Sequence, residues 1–161
     1  MKLEQWRSAW RQLIGAGSPY EVLTTPGSGQ KTFRHTAANV WAAIDSGRVH
    51  GDREFLVWQQ QRLTFNQFFD QVDRLAGQLA HRFGVRQGDR VAIAMRNQPA
   101  WLVAFAAIQR CGGVCVPLNS WGLRDELFHG LQDSSAQALL CDAPRLQLLA
   151  SDLHEQGLAI L

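Results

Sequence analysis

The fold is decided by residues 88–117, GDRVAIAMRNQPAWLVAFAAIQRCGGVCVP. Within it, residues 90–95 are apolar on both faces of an extended chain, with Val91, Ile93 and Met95 on one side and the small Ala92 and Ala94 on the other. That pattern fits a parallel strand covered by helices on both faces. Pro99 suits the first turn of a following helix, where its missing N–H is no loss, and Trp101, Leu102, Phe105 and Ile108 supply that helix with a packing face. Gly112 ends it, and residues 113–117 form a second strand. A crossover of about a dozen residues between two such strands makes a right-handed βαβ unit and a parallel sheet.

The same alternation continues downstream. Residues 123–132 carry Leu123, Leu127 and Leu131 at helical spacing, and residues 136–141 (AQALLC) form a third strand. Asp142 then caps a helix through Leu146, Leu149 and Leu153 to Gly157, and residues 158–161 (LAIL) open a fourth strand that is cut off. Upstream, Thr64 and Gln67 make a capping box for a helix whose Phe65, Phe68, Phe69, Val72, Leu75, Leu79 and Phe83 keep the 3.6 period until Gly84. Before it, residues 55–59 and 62–64 suggest a small antiparallel hairpin, and residues 33–46 a helix with Phe33, Ala37, Val40, Trp41 and Ile44 on one side. Residues 15–31, rich in Gly, Ser, Thr and Pro, are expected to be a connector. The N-terminal helix aligns Leu3, Trp6, Trp10, Leu13 and Ile14 and stops at Gly15 and Gly17. Its stripe is expected to dock on the body of a larger protein rather than anchor to a membrane surface.

The expected fold class is therefore α/β, a mostly parallel sheet flanked by helices with a small antiparallel hairpin. Its organisation is a single unit, residues 1–161. Residues 1–31 are the docking helix and connector, and residues 32–161 the α/β core, truncated at its C-terminal end.

Composition agrees with one folded domain: 161 residues, 46% hydrophobic and 19% charged, which excludes disorder and collagen-like repeats. The net charge of +2 does not call for nucleic acid or an anionic membrane as partner. The charge is uneven, with fourteen basic and eight acidic residues before Cys111 and two basic and six acidic from there on. The first residues lack the apolar run of a signal peptide, so a cytoplasmic location is expected. Residues 99–108, the longest nearly unbroken apolar stretch, reach about half the roughly 20 residues of a membrane span. Cys111, Cys115 and Cys141 are an odd set without nearby His at metal-ligand spacing, and read as free, reduced thiols.

Ligands of open parallel sheets collect beyond the carboxyl ends of the strands, here Arg96 and Asn97, Asn119 and Ser120, and Asp142. Each of these positions also has a structural use, Asn97 and Asp142 as helix N-caps and Asn119 in the turn after Pro117. Neither a Gly-rich dinucleotide fingerprint, nor a phosphate loop with Lys, nor a serine elbow occurs. The Gly-Ser-Gly-Gln-Lys run at 27–31 has no apolar strand leading into it. His35, His50, His81, His129 and His154 are dispersed. No catalytic, cofactor-binding or metal-binding residue is assigned.

Taken in order, several marks between residues 63 and 149 resemble the N-terminal part of the adenylate-forming acyl-CoA synthetases. This AMP-binding superfamily also includes luciferases and peptide-synthetase adenylation domains. The marks are the Thr64-led helix, Gly88-Asp89-Arg90-Val91, Asn97 with Trp101, Gly112-Gly113 through Pro117-Leu118-Asn119, and Glu126-Leu127 before Asp133-Ser134. Asn119 resembles the CoA ligases more than the peptide-synthetase domains, which tend to carry Asp there. The opening helix and residues 17–21 look like those of a fatty-acid-type ligase.

The resemblance implies a ligase of fatty acid metabolism that activates a carboxylic acid with ATP and Mg²⁺ to an acyl-adenylate and transfers it to CoA. The family's phosphate loop with Lys, its magnesium-binding Glu, its ribose-binding Asp and its catalytic Lys have no counterpart in this sequence, so no functional residue is carried over. The chain itself is expected to bind no cofactor, to be inactive alone, and to have the remainder of its own polypeptide as partner, with self-association or element swapping as a further outcome. A standalone, non-catalytic α/β interaction module is the alternative.

Overall fold

The computed structural model describes residues 3–156 and 159–160. It divides the chain into a first unit ending at Asn39 and a second beginning at Val40.

In the first unit, α1 (Leu3–Ile14) keeps the expected stripe, with the Trp6 and Trp10 rings stacked at 5.6 Å and no residue of the helix buried. The expected connector contains a strand. β1 (Val22–Thr24) pairs antiparallel with β2 (Lys31–Phe33), Val22 facing Phe33 and Thr24 facing Lys31. Glu21 closes the open end of this hairpin. Its carboxylate accepts the Gly17 N–H at 2.8 Å and pairs with Arg34 at 2.8 Å, while its carbonyl accepts the Arg34 N–H. The Gly-rich run at 27–31 is thus the hairpin's turn and the start of its second strand.

The second unit begins with α2 (Val40–Asp45), followed by a 3₁₀ turn over Ser46–His50. The helix expected from residue 33 is shorter because Phe33 is committed to the β1–β2 ladder, which leaves Phe33 and Ala37 off its face. β3 (Glu54–Trp58) and β4 (Gln61–Thr64) form the expected hairpin. Thr64 then caps α3 (Phe65–His81): its hydroxyl accepts the Gln67 N–H at 3.2 Å, and the Gln67 side chain accepts the Thr64 N–H at 2.9 Å. This exchange satisfies two backbone donors at the helix junction.

The remaining elements alternate: β5 (Arg90–Ala94), α4 (Pro99–Arg110), β6 (Val114–Pro117), α5 (Arg124–Ser134), β7 (Ala138–Cys141), α6 (Ala143–Gln156) and β8 (Ala159–Ile160). The four strands pair in parallel in the order β6-β5-β7-β8. Gly157, Leu158 and Leu161, part of the expected helix end and fourth strand, lie outside the described residues. Gly112, at φ +72, makes the left-handed turn out of α4; the next residue, Gly113, sits so close to Asp89 O and Ile108 that a Cβ would meet both at 3.1–3.2 Å.

The two faces of β5 separate two cores, as its alternation predicts. Val91, Ile93 and Met95 pack with α3 and α4 through Phe68, Phe69, Val72, Leu79 and Ile108. Ala92 and Ala94 face α5 and α6, where their small size admits Leu127 and Leu131 of α5 and Leu149 of α6 beside Leu139 of β7. Leu139 is fully buried, so Leu139→Ala is expected to lower unfolding free energy by about 3 kcal/mol. Ala92→Leu, which adds volume where there is none to spare, is expected to cost about 2 kcal/mol. Urea denaturation of the two variants checks both values.

Candidate functional site

The carboxyl edge of the sheet gathers the residues singled out from the sequence, and one ion pair organises them. Asp142 follows β7 and caps α6: its Oδ1 accepts the Arg145 N–H at 3.2 Å. Its Oδ2 accepts the Arg96 backbone N–H at 3.0 Å, tying the end of β7 to the end of β5. The Arg145 guanidinium, buried at 7% exposure, donates Nη1 to Asp142 at 3.0 Å and Nε and Nη2 to the Ser120 carbonyl at 3.0 and 2.6 Å. The loop after β6 is thereby held to the same carboxylate, so three strand ends meet on one Asp–Arg pair.

Asn119 makes the turn expected of it. Its Oδ1 accepts the Trp121 N–H at 3.1 Å, and its Nδ2 donates to Glu126 at 2.8 Å. Asn97 does not cap α4; Gln98 occupies the N-cap in extended conformation without a side-chain bond, and Asn97 lines a cleft instead. That cleft, about 380 Å³, lies between Leu56, Val57 and Trp58 of the hairpin and Pro99, Trp101 and Leu102 of α4. A second apolar cavity of about 320 Å³ is framed by Ile44, Gly47, Phe55, Phe65 and Phe105.

Two members of the edge are absent from the candidate positions at the strand ends. Arg145 is one; an Asp followed three residues later by Arg at a helix start is the signal that could have found it. Trp121 is the other, its ring exposed at 78% and lying over the Arg96 guanidinium. Burial and the nearby Arg145 charge draw the Arg96 pKa down, and Asp142 opposes them.

The resemblance implies ATP, Mg²⁺ and CoA, and the donors present do not fit a metal–triphosphate site. Arg145 is already committed to Asp142 and Ser120, and Arg124 pairs with Asp125. Among the described residues no three His, Cys, Asp or Glu side chains come together as a metal site. Cys111, Cys115 and Cys141 are free, and burial pushes Cys115 and Cys141 up to about 11, so both are protonated at neutral pH. No helix among the described residues is long and apolar enough to cross a membrane.

Burial works to raise the Asp142 pKa, but the hydrogen bonds from Arg96 and Arg145 and the charge of Arg145 outweigh it and hold the carboxyl below its usual range. A carboxyl depressed in the folded state stabilises above its unfolded pKa of about 4, and that contribution disappears as pH falls through the folded value. Asp142→Asn leaves the buried Arg145 charge unpaired and is expected to cost about 3 kcal/mol at pH 7. In urea unfolding, the gap between the two proteins is expected to narrow as pH falls below 4; a gap independent of pH would refute the role given to this carboxylate.

Comparison with known proteins agrees with the fold. The chain is 33% identical over 106 residues to the medium/long-chain-fatty-acid–CoA ligase FadD6 of Mycobacterium tuberculosis, covering 66% of this chain and 18% of that one. It superposes on O-succinylbenzoate coenzyme A synthetase (MenE) of Bacillus subtilis, solved with AMP, with TM-score 0.63 and 27% identity over 75% of this chain and 30% of that one. The NpsA N-terminal subdomain of Klebsiella oxytoca matches with TM-score 0.59 and 27% identity, over 64% of this chain and 26% of that one. The chain spans about a fifth of the length of the curated relatives it matches. A family model described as AMP-binding enzyme matches residues 44–160, from the end of α2 into β8 and through every strand end joined by Asp142 and Arg145, and the chain accordingly belongs to the AMP-binding enzyme family.

Proposed function

We propose that the chain is the N-terminal scaffold portion of an acyl-CoA synthetase acting on a fatty acid in the cytoplasm. The reaction joins a carboxylate oxygen to the α-phosphorus of ATP with departure of pyrophosphate; the CoA thiolate then attacks the acyl carbonyl and AMP leaves. The observation that carries this reading is the family match through residues 44–160, together with relatives that are CoA ligases.

This chain's own residues have a supporting role. β5, β6 and β7 end at one level, and the Asp142–Arg145 pair fixes the loops that leave them, so the carboxyl edge is a rigid wall for whatever packs above it. Phosphoryl transfer needs cations and N–H donors preorganised around the phosphates. With Arg145 neutralised by Asp142, this edge does not gather them, so the chain alone is proposed to be inactive. Its natural partner is the remainder of its own polypeptide.

Purified chain is expected to show no carboxylate-dependent ATP–pyrophosphate exchange with fatty acids; robust exchange would overturn the scaffold reading. Val114, Leu123 and Leu148 expose 48%, 78% and 44% of their surfaces around the sheet, and β6 is an edge strand. Light scattering of the isolated chain is therefore expected to show mass rising with concentration. A monomer at all concentrations would count against exposed docking faces.

A further inference from the structure

Arg96 holds a donor that the fold does not use. Its Nη1 is fully covered by protein and has no hydrogen-bond partner, the one buried side-chain nitrogen or oxygen so left among the described residues. Leaving a charged donor unsatisfied is costly, and a native site that tolerates it needs a reason. The neighbouring carboxylate does not provide one, since both Asp142 oxygens are taken by the Arg145 side chain and by the backbone N–H groups of Arg96 and Arg145. Of the two guanidinium groups beside the Asp142 carboxylate, that of Arg145 is bonded to it and the Nη1 of Arg96 is bonded to nothing.

Trp121 supplies the second part of the site. Its indole lies over the Arg96 guanidinium, while its backbone is set by the Asn119 turn. Stacking uses the flat face of a guanidinium, whereas its N–H donors lie in the plane and point outward from the edge. An indole offers a donor but no lone-pair acceptor, so this contact leaves the Nη1 donor unsatisfied. Trp121 is exposed at 78%, so its ring can shift without disturbing either core. The position matches the chemistry: Arg96 leaves the carboxyl end of the central strand β5, and Trp121 the loop after β6, where open parallel sheets collect ligands.

We infer that Arg96 and Trp121 form an oxyanion-binding subsite, in which the exposed Trp121 ring is a movable cover over the Arg96 guanidinium and a phosphate or carboxylate oxygen of a small ligand reaches Nη1 when that ring moves aside. An oxyanion supplies the missing acceptor and a charge opposite to that of the guanidinium in one contact. The inference does not depend on the ligase reading, since it rests on the partner that Arg96 lacks.

The test replaces the six tryptophans of the full chain with 5-fluorotryptophan and follows ¹⁹F resonances while inorganic phosphate or acetate is exchanged for chloride at constant ionic strength. Trp121→Phe assigns the Trp121 signal. That signal is expected to shift saturably, and the anion that saturates it at lower concentration identifies the ligand as phosphate-like or carboxylate-like. Arg96→Lys, which keeps the charge and removes the planar fork, is expected to weaken binding at least tenfold. Arg96→Gln is expected to abolish it, with the other five signals in place to report an intact fold. A Trp121 signal that responds to neither anion, or that responds equally in the Arg96→Gln or Arg96→Lys chain, would overturn the proposal.

Discussion

Everything in the second unit depends on β5 having two usable faces. A strand in the middle of a parallel sheet, hydrogen-bonded on both sides by β6 and β7, has nowhere to put a polar side chain. Val91, Ala92, Ile93 and Ala94 are all at 0% exposure. The large residues face the α3–α4 layer and the alanines face the α5–α6 layer, so the spacing of the helices from the sheet follows from side-chain size. Moving the register by one residue would set Val91 and Ile93 against the leucines of the tighter side and put the alanines opposite the phenylalanines.

This constraint explains why so much of the second unit could be read from the sequence. Apolar strands of four to six residues, helices opened by Thr64 and Asp142, and glycines at the ends of α3 and α4 are local signals that agree with one another and with the fold. The first unit was harder to read. Val22–Thr24 and Lys31–Phe33 are three-residue strands with little burial, and their pairing depends on the Glu21–Arg34 contact, which joins residues thirteen positions apart. Phe33 carries equal weight as a helix-face residue and as a strand residue, and only the ladder decides.

At the sheet edge the division is similar. The positions of Arg96, Asn119, Ser120 and Asp142 follow from strand ends, and Asp142 and Asn119 behave as short polar side chains beside backbone N–H groups should. Asn97 does not, because the extended Gln98 intervenes before α4 starts. Arg145 and Trp121 acquire their meaning only when three loops that are distant in sequence converge, as in the bonds from Arg145 to Ser120, twenty-five positions away. Family membership explains the architecture; the corner itself is a matter of which donors the Asp142 carboxylate can and cannot serve.

The strand order β6-β5-β7-β8 has a consequence for how the chain is made. The central strand is also the first of the four to emerge during synthesis, so each later strand meets a partner that already exists: β6 on one side of β5, β7 on the other, then β8 on β7. The sheet grows outward from its middle, each new strand adding to an edge that is already in place. A chain ordered this way limits the time during which its most apolar segment is exposed, which is when parallel sheets are most prone to aggregate.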